Sequence, residues 1–308
     1  MDTARDTRTL DLVECEELWT METVDRNGFI CRGCTTQVFP ASFDKEHNKK
    51  RPYFTLGPSN KHQAGCDIDG EDKIIKRAKK ERVGTPEGFP LPFPSKLILT
   101  DKRPVEAKDL VTQGLSGSTR TSSTSDKNAA TPRKYHGHSV KNIRPACRAF
   151  IQLPNDRDFL PLEIPGVAGN TYAKIFTYLR SKKPEPFKFP TRLYYAAIRW
   201  VARPLITEEY CELTLNAGEW SQETGGYKTL CKVRVNWASW SKVRRNTLLR
   251  EFTTTREEAI EQAKRNKQIK GWIFFVGTQD PADPSIFHID NYQLICCLSA
   301  ELIWPSKK

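Results

Sequence analysis

FICRGCTTQVFPASFDKEHNKKRPYFTLGPSNKHQAGC, residues 29–66, is the stretch that decides how the N-terminal part of this chain is built. It holds Cys31 and Cys34 as Cys-x2-Cys and, after a gap, His62 and Cys66 as His-x3-Cys. Zinc takes four soft or borderline donors at tetrahedral corners, and a Cys-x2-Cys turn places two thiolates on one side of the ion. The second pair, brought back by the chain, closes the other side. The spacing predicts a structural Cys3His site with Zn2+ as cofactor. Nine cysteines produce some Cys-x2-Cys pairs by chance, but a following His-x3-Cys is much harder to obtain that way. His47 is a competing donor in the charged run DKEHNKKR, which reads as exposed loop. Phe29, Phe39, Tyr53 and Phe54 flank the ligands and offer apolar material for a small core in which metal binding contributes the folding free energy. A site closed by four protein donors holds a fold together and does no chemistry itself.

Residues 1–110 read as the first unit. After Cys66, Ile74, Ile75 and Ala78 lie along one side of a charged helix, PEGFPLPFP (86–94) is too proline-rich for a helix, and KLILT (96–100) reads as a short strand. Residues 111–134 are dominated by Ser, Thr, Gly and Asn, which marks a disordered, protease-sensitive linker. Residues 135–308 read as a β-rich unit of mixed α and β. IRPACRAFIQL (143–153) and PLEIPGV (161–167) are expected as strands, TYAKIFTYLRS as a helix capped by Asn170, and RLYYAAIRWVA, YCELTL and LCKVRVNWASW as three more strands. Thr254 and Glu257 have the spacing of a capping box for TREEAIEQAKRNKQI. WIFFV (272–276) precedes FHID-NY-QLICCL, expected as a hairpin turning at Asn291. Alternation sends Cys296 and Cys297 to opposite faces of the last strand. The fold class is α+β, and the second unit is equally compatible with an OB-like barrel and with another small α+β sheet.

The net charge of +12 is unevenly spread. Residues 1–110 carry 19 basic and 19 acidic side chains, 111–140 four and one, and 141–308 carry 26 and 17. A surplus confined to one part of a chain favours a polyanionic partner, above all nucleic acid, although ordinary solubility charge has the same sign. The longest apolar runs are too short to span a bilayer, and the acidic N-terminus has no apolar core of a secretory signal. The chain is therefore expected to be cytoplasmic, with no membrane partner, and scattered single cysteines fit a reducing compartment.

On an extended strand from Lys232, Val233, Val235 and Trp237 share one face, and Lys232, Arg234, Asn236, Trp240, Lys242 and Arg244 the other. The second face joins phosphate-binding cations to an aromatic ring, as single-stranded nucleic acid requires. Arg199 and Trp200, with Tyr227 and Lys228, extend it. The competing reading has Trp240 plugging a barrel end while the charges solvate an outer face. Gly166 and Gly169 precede a helix without the Gly-Lys-Ser/Thr of a P-loop, so a plain strand-to-helix turn accounts for them. His136 and His138, with Cys147 or His288, are a weaker metal candidate than exposed polar sequence. Asp101, Glu106 and Lys108 echo the Asp…Glu-x-Lys of metal-dependent nucleases, but the usual hairpin has no room before the linker.

Residues 29–66 resemble the zinc-binding N-terminal module of the competence protein CoiA family, through FICRGC and then RPYFTLGPSNKHQAGC. The likeness covers under a fifth of the chain. It implies a bacterial or phage-borne setting concerned with foreign DNA or defence. CoiA-like proteins also carry a nuclease domain, which is not visible here. The expectation is a non-catalytic nucleic-acid-binding protein, single strands favoured, with a possible protein partner in a multi-component system. The alternatives are an adaptor whose zinc module docks another protein, and a cryptic metal-dependent nuclease.

Overall fold

Short runs with one apolar face pair as strands at the N-terminus: β1 (Thr3–Asp6), β2 (Leu12–Glu14) and β3 (Phe29–Cys31) form an antiparallel sheet in the order β2-β1-β3. β4 (Val38–Ala41) and β5 (Tyr53–Leu56) make a hairpin beside it. In the computed structural model the described residues are 1–308 apart from 45–46, 49, 67, 86–88, 100–136, 189–190 and 306–308. Ala4, Val13, Leu18, Phe29, Val38 and Phe54 bury a small core here, and Cys31 and Cys66 belong to it. α1 (Glu71–Ala78) follows Gly70, whose φ of 89° suits glycine, and presents Ala78 to a different core.

That second core begins with Ala78, Phe89, Leu91, Phe93 and Leu97 and continues with residues beyond 140. β6 (Pro94–Leu97) pairs in parallel with β7 (His138–Val140). The apolar material of 78–97 thus packs with the second half of the chain, not with the metal-ligand module. The expected linker at 111–134 lies outside the described residues. Brief trypsin treatment is expected to cut near Arg120, Lys127 or Arg133. The two pieces should then co-elute in gel filtration, because residues 78–97 share a core with the chain beyond residue 140. Free N- and C-terminal fragments eluting apart would refute that packing.

The rest is a large sheet with few helices. After α2 (Arg144–Gln152) and the one-turn α3 (Tyr172–Ile175) come β8 (Phe176–Tyr178), β9 (Thr191–Ala197), β10 (Leu205–Ile206), β11 (Tyr210–Ser221) and β12 (Gly226–Asn236). The long α4 (Lys242–Ala263), β13 (Ile269–Gln279), β14 (Ile286–Ile289) and β15 (Ile295–Glu301) complete the chain. The order is β10-β11-β12-β14-β13-β9-β8, with β15 also on β13, eight strands in all. Its central strands are buried on both faces. Leu193, Tyr195, Trp272, Phe274, Cys296 and Leu298 face α2, whereas Tyr194, Ala196, Ile273, Phe275, Ile295 and Cys297 face a second layer with α4. This two-sided burial explains runs as apolar as WIFFV and LICCL. Cys296 and Cys297 lie on opposite faces, as alternation requires.

The sheet curls without closing as a barrel. Among the described residues, β9 and β11 pair only at the Ile198–Leu215 bridge. The free edge of β9 is otherwise taken by β8, whose Phe176–Tyr178 pair with Leu193–Tyr195. Five element assignments differ from expectation. PLEIPGV (161–167) is a loop and not a strand, making only single bridges, Pro161 with Thr171 and Glu163 with Lys96. IRPACRAFIQL is the helix α2, since Ile143, Ala146, Cys147, Phe150 and Ile151 recur at helical spacing and are buried. The helix expected from Thr171 stops after one turn because Phe176 enters the sheet. The capping box at Thr254 is not used. The helix starts at Lys242, capped by Ser241 Oγ accepting from Arg244 N–H, and Thr254 is a buried interior position. Finally, β14 and β15 are not a hairpin: they lie end to end along β13, with β14 also parallel to β12.

A buried ion network fixes the metal-ligand module to this body. Arg51, in the β4–β5 loop, reaches Glu16, the hydroxyl of Thr255 and the carbonyl of Cys297, and its N–H donates to Glu258. Arg144 pairs with Glu251 at 2.7 Å and Glu14 at 3.3 Å; Arg148 pairs with Glu16 at 2.6 Å. Burial alone would raise the Glu16 carboxyl, but Arg148, Arg144 and Arg51 outweigh it and hold it well below the usual range. At the edge of the network, burial and then the Glu14 carboxylate push Glu17 from 4.5 up to about 7. The folded chain therefore holds a proton there that the unfolded chain has released, so Glu17 makes stability fall as pH rises from 4.5 to about 7. Glu17→Gln should remove that component. Relative to wild type, its urea midpoint should gain more at about pH 8 than at about pH 5. Equal gains at both would contradict it.

Candidate metal centre and basic surface

The four expected ligands converge. Cys31 ends β3, Cys34 follows in the next turn, and His62 and Cys66 come from the loop after β5. Their donor atoms all lie within 4.8 Å of one another. Cys31 Sγ is 3.8 Å from Cys66 Sγ, and His62 Nδ1 is 3.6 Å from both Cys34 Sγ and Cys66 Sγ. Metal–sulfur bonds of about 2.3 Å and metal–nitrogen bonds of about 2.0 Å at tetrahedral angles give edges of about 3.8 and 3.5 Å, close to these separations. The donor set fits one tetrahedral metal ion, with His62 ligating through Nδ1.

The local sequence builds this cage. Gly33 N–H points at Cys31 Sγ at 3.4 Å, the knuckle bond of a Cys-x2-Cys turn. Thr36 Oγ1 donates to the Lys61 carbonyl and Gln63 Nε2 to Thr35 Oγ1, tying the two ligand loops together. Burial pushes the Cys31 thiol up to about 12. Burial also opposes ionisation of Cys34, but its hydrogen bonds with Thr36, the Gln63 N–H and His62 prevail and hold it at about 6. His47 is elsewhere, its Nδ1 2.9 Å from Asp44.

No second metal cluster forms among the described residues. Cys147 is buried in the core, His288 binds Asp280 at 2.8 Å, and burial lowers the His138 ring to about 4. His136 and the nuclease-like Asp101, Glu106 and Lys108 lie outside the described residues. Gly166 and Gly169 have φ of 75° and 131° and precede only the single turn of α3, as a plain loop would.

The expected basic strip does not form one surface. Val233, Val235 and Trp237 are buried as alternation demands. On the other face, Lys232 and Arg234 both bind Glu212, at 2.9 and 2.8 Å, so their charge is largely used within the sheet. Trp240 is 6% exposed, and its indole N–H donates to the Asp290 carbonyl. It plugs the sheet end and offers no face to a base, which corrects the stacking role expected for it. Lys242 and Arg244 lie on α4 instead of the strand, and the Arg244 guanidinium sits 3.9 Å over the Tyr292 ring. Arg199 and Trp200 belong to a different region, where Arg199 lies 5.9 Å from the Tyr227 ring and Trp200 is exposed.

Two features escaped the sequence. The buried network unites residues from four distant segments, and no local spacing marks it. Trp220, exposed beside Tyr227 at 5.0 Å, lies on the outward face of β11, where counting by two from Cys211, Leu213 and Leu215 could have found it. Comparisons of the chain with protein-family models, curated proteins and solved structures give no match.

Proposed function

We propose that this protein binds nucleic acid without catalysing a reaction on it, and that its Cys3His site holds zinc as a structural ion. The observation that carries this is the charge distribution: residues 1–110 are neutral, and residues 141–308 hold 26 basic against 17 acidic side chains. The buried network does not absorb that surplus, since its three core guanidiniums face three core carboxylates. Arg180, Lys182, Lys183, Arg203, Lys228 and Lys242 are exposed. Such a surface attracts phosphates and releases their counterions. Three thiolates and one imidazole favour zinc, and four protein donors leave no open position for substrate, which supports a structural role. The likeness of residues 29–66 to CoiA-like modules supports a setting in the handling of foreign DNA.

The test is a titration of labelled oligonucleotides, single- and double-stranded, with the full chain across a salt series. Affinity is expected to fall steeply with salt, by about 10³–10⁵ between 50 and 200 mM if six to ten phosphates are neutralised. Absence of any salt-sensitive binding at low ionic strength would refute the reading and leave the protein-docking adaptor in its place.

A further inference from the structure

The β11–β12 hairpin is bent at two places, between Thr214 and Gly218 and between Glu219 and Trp220. Gly218 has φ of 131°, and a Cβ there would lie 2.1 Å from the Thr229 carbonyl oxygen, so the bend admits glycine alone. On both sides of it the odd positions face inward, Leu213, Leu215 and Ala217 before and Ser221 after, so Trp220 falls on the outward face. Trp220 emerges 47% exposed, edge-on to Tyr227. The connection after β8 is fastened to this hairpin: Gly218 N–H donates to the Arg180 carbonyl at 3.2 Å, and Ser181 Oγ lies 3.0 Å from the Tyr227 hydroxyl. Just before it, Tyr178 is stacked on Tyr195 at 5.3 Å and lies 5.6 Å from Trp304. Tyr178 and Trp304 are 37% and 51% exposed. Residues 178–181 therefore join two exposed aromatic pairs.

The cations here differ from those of the strand strip. Among the described residues, Arg180, Lys182, Lys183, Arg199 and Lys228 have no carboxylate partner, whereas Lys232 and Arg234 share Glu212. The hairpin itself also carries Glu219 and Glu223, so the local surplus comes from the connections around it. Exposed rings beside unpaired cations suit a polymer with both flat faces and phosphates. Bases within a duplex are already stacked and present no free face, so the rings select unpaired bases.

We propose that single-stranded nucleic acid binds along this aromatic and basic row, with a base stacked on Trp220 and phosphates held by Arg180 and Arg199. The proposal rests on the nucleic-acid reading above and gives it a site. It is tested with the full chain and a fluorescein-labelled oligothymidylate, each variant being checked for an unchanged melting curve. Trp220→Ala is expected to weaken binding about 5- to 150-fold, the range for one lost base stack. Trp220→Phe should recover much of it, and Arg199→Ala should flatten the salt dependence. Lys232→Ala should change affinity less than about twofold, because its charge is already paired. If wild type binds but Trp220→Ala is unaffected, or binding prefers duplex, the proposed site is wrong while the general reading stands. If wild type binds no oligonucleotide, both fail together, and the row becomes a protein-docking surface.

Discussion

The purified chain should carry one zinc ion, and Cys34→Ser should carry none. The three measured donor separations already match a tetrahedron's edges, so little rearrangement is needed to seat the ion. Structural zinc sites contribute apparent binding free energies of about 10–16 kcal/mol to small domains. The core that the ligands join is small, and Cys31 and Cys66 are part of it. Losing one ligand removes the tie between the knuckle and the loop after β5. The consequence reaches further than the cage, because the β4–β5 loop lies between the two ligand pairs and carries Arg51 into the body. Cys34→Ser should therefore lose amide protection throughout residues 1–68 while the α2 and β13 amides stay protected. Elemental analysis and hydrogen exchange would show both. A metal-free wild type whose N-terminal amides remain protected would overturn the expectation.

Arg144→Met should be the most destabilising single change in the described part of the body. Its guanidinium is held between Glu251 and Glu14, whose side chains are 3% and 7% exposed. Removing the cation strands buried carboxylates, which costs about 3–5 kcal/mol, whereas the desolvation that the intact cluster suffers is offset by its own pairing. Glu251 also accepts from the Cys297 N–H, so the stranded charge sits against the central sheet. A melting temperature lower by roughly 10 °C is expected. The comparison is Arg8→Met, whose partner Asp25 is half exposed and whose own side chain is 74% exposed. That change should stay within about 0.5 kcal/mol. Adding Glu251→Leu to Arg144→Met should give less than the sum of the two single effects, because one of the stranded carboxylates is gone. Full additivity, or a small effect of Arg144→Met, would mean the carboxylates find other partners.

The metal cage is legible in the sequence because its information is local. Two ligand pairs, each within a few residues, must point the same way when a turn forms, and the β4–β5 hairpin between them brings the second pair back to the first. The faces of β12 and β15 are legible for a similar reason: a strand alternates with period two wherever it goes, so Val233, Val235, Cys296 and Cys297 are placed by counting. The segment of α2 reads as a strand because a short apolar run carries both periods, and what arbitrates is the partner it meets. Thr254 has the spacing of a cap, but the apolar contacts of Leu248 and Phe252 with the core extend the helix past it.

The Cys3His donor set, the α+β class, the burial of alternate strand residues and the concentration of positive charge beyond residue 110 can all be read from the residues alone. Each comes from spacing or composition, which survive any arrangement of the elements. The tertiary structure alone puts Trp240 inside, gives the cations of the strand strip to Glu212, and sets β14 and β15 along one edge of β13. The same holds for the buried network, where Arg51 bonds Cys297 across 246 residues of sequence. Such meetings depend on which strands pair, and that is written in no local pattern of residues.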